Sequence, residues 1–194
     1  AALGALADAG LSLADVDGYC CAGDAPGATP LVMADYLNLR LRWMDGSELG
    51  GCSSIALVAH AAAAIAAGQC SVVLITMAGR PRSIGQSVGV QPRALPPDRP
   101  EAAFDSASQW TIAPIYAMAA QRHMHEHGTT SAQLAWVKVA ASLHAQHNPQ
   151  ALLRKPVTVD EVLASGLVAD PLHKMDCCVI TDGGGALVVT SAAV

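Results

Sequence analysis

The chain has 194 residues, of which 52% are hydrophobic, 4% aromatic and 14% charged. That is enough for one good core and leaves apolar surface over for a large interface. A formal charge of -5 and a pI near 5.7 exclude a basic footprint for nucleic acid. No apolar run approaches the ~18 residues of a membrane span, and no charged start followed by a short apolar stretch marks a secretory signal.

In chain order, Ala1 to Ala9 reads as a helix already under way, stopped by Gly10, so a preceding segment is expected. Ser12 to Asp17 is a connector, and Val16 to Gly23 forms a short strand. A loop from Asp24 to Pro30 leads to a helix carrying Leu31, Met33, Ala34, Tyr36 and Leu37. A strand then begins at Leu41 and ends at Leu49.

The next stretch organises the rest of the chain. Gly50 and Gly51 permit a sharp turn, and Ser53 and Ser54 can satisfy the free N–H groups where a helix begins. The helix body, Ile55 to Ala67, is almost all Ala, Ile, Leu and Val, so burial on nearly all sides is expected. Gly68 supplies a left-handed stop. Ser71 to Thr76 reads as a strand with apolar residues on both faces, as in the middle of a parallel sheet. Cys52 stands at the mouth of the helix, where the positive end of the dipole favours thiolate, and this makes it the candidate nucleophile.

From Arg80 to Trp110 the chain is a proline-rich loop of the kind used as a lid, binding loop or interface arm. Ile115 to His127 is helical and stops at Gly128. Thr130 with Gln133, and Thr158 with Glu161, are capping boxes opening two more helices. The first ends before Asn148-Pro149 and the second at Ser165-Gly166. Val168 to Pro171 is extended, and Cys177 to Thr181 and Ala186 to Thr190 read as strands. Asp182-Gly183-Gly184-Gly185 is a tight turn or bulge between them rather than a phosphate cradle, because no helix N-terminus follows it.

Several residues have a structural explanation that outweighs a chemical one. His60 lies about 80° around the helix from Cys52, so it reads as a packed, hydrogen-bonded histidine rather than a catalytic partner. His123, His125 and His127 sit where a helix C-terminus favours positive charge, and no acidic third ligand recurs, so no metal is expected. The six cysteines fall as adjacent pairs, Cys20-Cys21 and Cys177-Cys178, plus Cys52 and Cys70. Neighbours in a strand point to opposite faces, so neither pair bridges readily or holds zinc, and a reduced cytoplasmic setting fits best.

Four stretches, in this order, resemble the thiolase superfamily. They are Gly50-Gly51-Cys52-Ser53-Ser54 with the helix ending Ala64-Ile65-Ala66-Ala67-Gly68, Tyr116 to Thr130, Asn148-Pro149, and Asp176 to Thr190. They are similar to the branch containing sterol-carrier-protein-type thiolases and the lipid-transfer-like thiolase homologues of steroid catabolism, and they cover nearly the whole chain. The resemblance implies an α/β layered fold of duplicated halves, with a mixed sheet around a buried central helix. This chain corresponds to the first half, one N-terminal domain over residues 1–194 with a loop excursion at 80–172.

The resemblance also implies an enzyme that handles acyl-CoA, by acyl transfer or by carbon–carbon cleavage next to the thioester, on a fatty-acyl or steroid side chain. Coenzyme A would be substrate or product carrier, with no bound cofactor. The alternatives are a retro-aldol lyase without a nucleophilic cysteine, or a non-catalytic thiolase-like scaffold or binding partner. Cys52 is the implied nucleophile, although counting back from Gly68 places the family position on Gly51. Gly51, Ser53, Tyr116 and Met118 would line the substrate site. A homodimer or larger oligomer and a small accessory protein are the implied partners. The family's Gly-His-Pro histidine and second cysteine belong to the other half and do not occur in these residues.

Overall fold

The computed structural model describes residues 1–22, 29–85 and 112–194. In chain order the elements are α1 (Ala2–Asp8), β1 (Gly18–Ala22), α2 (Pro30–Tyr36), β2 (Trp43–Ser47), α3 (Ser53–Ala66) and β3 (Val72–Gly79). After them come α4 (Ile112–His127), α5 (Ser131–Ala145), α6 (Val159–Leu163), β4 (Leu167–Ala169), β5 (Leu172–His173) and β6 (Gly183–Thr190). They divide into a first unit, Ala1–Ser83 with Thr181–Val194, and a second, Ile84–Ile180.

The sheet of the first unit runs β2-β1-β3-β6, with β1 parallel to β2 and β3 and β6 antiparallel to β3. Strand side chains alternate between faces, and the two cores follow that alternation. Cys20, Val73 and Ile75 pack with Leu57, Ala61 and Ala64 of α3. Tyr19, Cys21, Val72 and Leu74 pack on the opposite face with Leu6 of α1 and Ala34 of α2. Covered on both faces, β1 and β3 need continuous apolar runs, and β3 is central as its sequence indicates. The hydroxyl that Tyr19 carries into this core is matched by Thr76 Oγ1 at 2.7 Å. Asp17 Oδ1 accepts the N–H groups of Ser71 and Val72, both at 2.8 Å, and so anchors the start of β3.

Helix α3 departs from its expected burial. One stripe is buried, Ser53, Leu57, Ala61 and Ala64, while Ile55 is 72% exposed and His60 is also exposed. A helix laid on one sheet face is covered on that side alone, and alanine favours helix whether or not it is buried. His60 is hydrogen-bonded as expected, through Nδ1 to Asp45 Oδ2 at 2.7 Å, but it lies on the surface rather than in packing.

Other boundaries also shift. β2 ends at Ser47, not Leu49. Cys177 to Thr181 forms no strand, and Gly183 to Gly185 are not a turn but the first residues of β6, paired with Gly79 to Met77. A Cβ on Gly184 would lie 2.8 Å from Ala78 Cβ, so here glycine allows two backbones to approach. Most of the loop from Asp24, and the proline-rich stretch from residue 86 to 111, lie outside the described residues.

In the second unit both capping boxes form as the sequence indicates. Thr130 caps α5 with Gln133, and Thr158 caps α6 with Glu161. Helix α4 starts at Ile112, ahead of the expected Ile115, because Pro114 is tolerated in a first turn where no N–H partner is needed. Gly128 and Gly166 follow α4 and α6 with φ of 67° and 80°, the left-handed geometry of a helix stop. Ala135, Val139 and Val162 form the core, packed by Val157, Leu163 and Met175. β4 and β5 pair as a short antiparallel hairpin. Among the described residues no helix is long and apolar enough to cross a membrane.

Candidate functional site

The turn between β2 and α3 is built by a few local bonds. Gly50 takes φ of 66°, a conformation that costs other residues strain, and Gly50–Cys52 then make one 3-10 turn into α3. Because β2 runs parallel to β1 and β3, the N-terminus of α3 stands at the carboxyl ends of the parallel strands. Open α/β sheets place ligands at that edge. Ser54 Oγ donates to Met77 Sδ at 3.2 Å and ties the first turn of α3 to the end of β3.

The two serines do not cap the helix as expected. Ser53 is buried, and its Oγ accepts the N–H of Leu49 at 2.9 Å, while Ser54 is engaged with Met77. The N-cap residue is Cys52, and it makes no side-chain capping bond. Its side chain is exposed, and Sγ donates to the Leu49 carbonyl oxygen at 3.1 Å. Ser53 and Cys52 therefore hold the two backbone groups of one residue and fix the turn. A Cβ on Gly51 would meet nothing within 4 Å, so that position opens to free space beside Cys52.

Gly51, Cys52 and Ser53 are thus brought together in one turn. Tyr116 and Met118 are on α4 in the second unit, 66% and 48% exposed, with Ala117 buried between them. Two residues apart on a helix is about 200° of rotation, so these side chains point to different sides.

A nucleophilic thiolate needs a base or cation beside it. Among the described residues, no basic side chain forms a hydrogen bond or ion pair with Cys52. His60 bonds Asp45, and Arg42 pairs with Asp17 at 3.7 Å and reaches the Gly68 carbonyl at 3.3 Å. The dipole of α3 remains as a source of positive potential. The buried thiols are inert for a different reason: burial, followed by the charge of Asp45, pushes Cys20 up to about 12, and burial also raises Cys70.

The rings of His123 and His127 meet at a tilt of 53° with centroids 4.6 Å apart, and His123 Nδ1 bonds Thr129 Oγ1 at 3.0 Å. Among the described residues no three side chains gather as metal ligands. Sequence reasoning missed Met77 as the anchor of Ser54, and it missed a part-buried pair in the second unit. His173 Nδ1 lies 3.1 Å from Asp176 Oδ2, and the same oxygen accepts the His173 N–H at 2.7 Å. The available signal was the three-residue spacing of a histidine and an aspartate beside Cys177-Cys178.

No family model matches the chain. It is 38% identical over 200 residues to the 17-hydroxy-3-oxo-4-pregnene-20-carboxyl-CoA lyase of Mycobacterium tuberculosis H37Rv, across 100% of this chain and 51% of that protein. It is 34% identical to the steroid side-chain-cleaving aldolase of Thermomonospora curvata, across 98% of this chain and 50% of the aldolase. Identity to the acetyl-CoA acetyltransferase of Methanothermobacter thermautotrophicus is 30%, across 99% and 50%. Among solved structures, the Ltp2-ChsH2(DUF35) aldolase superposes with a TM-score of 0.84 at 32% identity, over 100% of this chain and 49% of that one. A monomeric SCP2-thiolase like protein type 1 from Mycobacterium smegmatis superposes at 0.63 with 18% identity, over 92% and 37%, a likeness of fold. The chain spans about half the length of the curated relatives it matches. Its relatives are thus steroid side-chain aldolases and thiolases, and its fold matches about half, the N-terminal half, of an SCP2-thiolase-like protein.

Proposed function

We propose that the full-length protein cleaves a carbon–carbon bond beside an acyl-CoA thioester by a retro-aldol reaction, without a nucleophilic cysteine. The observation that carries this reading is the Cys52 thiol, whose hydrogen bond goes to the Leu49 carbonyl at 3.1 Å and not to a base. The lyase and aldolase names of the relatives at 38% and 34% identity support it. The substrate is a 3-hydroxyacyl-CoA on a steroid or fatty-acyl side chain, and coenzyme A stays on the shorter product.

In this reaction a base takes the hydroxyl proton and the oxygen lone pair becomes a ketone carbonyl. The bond between the hydroxyl-bearing carbon and the carbon next to the thioester breaks. The electron pair passes to the thioester as an enolate, and protonation yields the shorter acyl-CoA. The backbone N–H groups of Gly51 and Cys52 and of the first turn of α3 beyond Ser53, whose own N–H donates to the Gly50 carbonyl oxygen, hold the enolate oxygen. Tyr116 or Met118, which point to different sides of α4, lines the acyl or pantetheine path. The base comes from outside the described residues of this half. The assembly named for the aldolase at TM-score 0.84 supports an accessory partner, and the apolar composition supports a homodimer or larger oligomer in the cytoplasm. Residues 1–194 form one N-terminal thiolase-like domain, with 80–172 as its excursion.

A second reading is favoured by one observation: Cys52 is exposed at the mouth of a helix of 14 residues. There Cys52 attacks the thioester, an acyl-enzyme forms, and the turn stabilises the oxyanion. Full-length protein given a tertiary 3-hydroxyacyl-CoA is expected to release a ketone and a shortened acyl-CoA. Release of acetyl-CoA from acetoacetyl-CoA plus CoA, lost in Cys52→Ser, would establish the thiolytic reading instead. Turnover of neither substrate would leave a non-catalytic scaffold.

A further inference from the structure

Cys177 and Cys178 lie on the segment that leads from the second unit, ending at Ile180, back to the first, resuming at Thr181. None of the six cysteines is bridged. In β1 the strand pleat separates the other adjacent pair: Cys20 lies in the core under α3, Cys21 in the core on the opposite face, and both are fully buried. That separation is what argues against bridging between neighbours. It does not apply to Cys177 and Cys178, because the backbone there is neither helix nor strand. Cys178 is exposed and Cys177 partly so.

We propose that Cys177 and Cys178 form a vicinal dithiol that small-molecule disulfides convert reversibly to an intramolecular disulfide. The exposed Cys178 thiolate attacks one sulfur of the small disulfide and releases one small thiol, leaving a mixed disulfide. The Cys177 thiolate then attacks Cys178 Sγ and releases the second small thiol. One disulfide is reduced, one is formed, and the two protein thiol protons leave with the two released thiolates. Exposure sets the order: burial and the Asp176 carboxylate hold the Cys177 thiol above its ordinary value, so it serves as the second, intramolecular nucleophile. Asp176 is itself held by His173 at the start of this segment.

The chemistry of adjacent residues makes such a bridge reversible rather than permanent. Consecutive Cα atoms are about 3.8 Å apart, closer than the roughly 4.4–6.8 Å usual for disulfides. A bridge closed at that spacing is strained and readily reduced.

The test is to expose the full-length protein to oxidised glutathione, quench with iodoacetamide and map the tryptic peptide that starts at Met175. The expected result is a peptide lacking two hydrogens and carrying no alkyl group, restored to two alkylatable thiols by dithiothreitol. Prior treatment with phenylarsine oxide, which condenses with paired thiols and releases water, is expected to block it. Cys177→Ser is expected to stop at a glutathione adduct on Cys178. Two alkylated cysteines after oxidation, a stable wild-type glutathione adduct, or a link between Cys178 and Cys52 would each overturn the proposal.

Discussion

Cys52 Sγ lies 3.1 Å from the carbonyl oxygen of Leu49, three residues back in the same turn. The N–H of that leucine is held in turn by buried Ser53. The thiol proton therefore points at a backbone acceptor, and the side chain completes the turn instead of facing a base. On the retro-aldol account, Cys52→Ser preserves both the bond to Leu49 and the activity, with turnover within about threefold of the parent. A nucleophilic Cys52 would instead lose roughly a thousandfold or more in turnover in the same variant. Steady-state kinetics on the full-length protein separate the two.

Ser53 is a structural member of the site. The residue is 1% exposed and its hydroxyl accepts the Leu49 N–H, so Ser53→Ala is expected to lower stability by about 1–2 kcal/mol, as for a lost partly buried hydrogen bond. Urea denaturation with an unchanged slope checks this.

Two neighbouring glycines in β6 should respond differently to alanine. At Gly184 the new Cβ would meet Ala78 Cβ at 2.8 Å and the Met77 carbonyl oxygen at 3.0 Å. Gly184→Ala is therefore expected to cost about 1–3 kcal/mol. At Gly185 nothing lies within 4 Å, so Gly185→Ala is expected to stay within about 0.5 kcal/mol of the parent. Parallel denaturation curves of the two variants decide it.

Asp182, just before β6, receives the Ser83 hydroxyl on Oδ2 and the Ser83 N–H on Oδ1 at 3.1 Å. These bonds hold its carboxyl below the usual aspartate value. A carboxyl depressed in the folded state binds protons more weakly there than in the unfolded chain. Its stabilisation is fully present above the ordinary aspartate range and is lost as pH falls through that range to the lower folded-state value. Asp182→Asn is expected to weaken the acid-side dependence of the unfolding midpoint and leave its slope near neutral pH unchanged. A pH series of denaturation curves measures both limbs.

Features set within a few consecutive residues were legible in the sequence. The capping boxes at Thr130 and Thr158 and the glycine stops at Gly10, Gly68, Gly128 and Gly166 each depend on a handful of neighbours. Features set at long range were not. Gly183 to Gly185 look like a turn until Met77 to Gly79 pair with them. Cys177 to Thr181 has the composition of a strand but gains no partner strand. The apolar content of α3 overstated its burial because alanine makes helix without requiring cover. At the site, the location of Cys52 was readable, but the direction of its thiol was not. That direction depends on a side-chain rotation toward Leu49 that no residue pattern encodes.

The most direct measurement is product analysis of the full-length protein and its Cys52→Ser variant acting on a tertiary 3-hydroxyacyl-CoA. The account predicts a ketone and a shortened acyl-CoA in equal amounts from both proteins. A substrate left intact by the parent protein, or cleavage abolished by the serine, would contradict it.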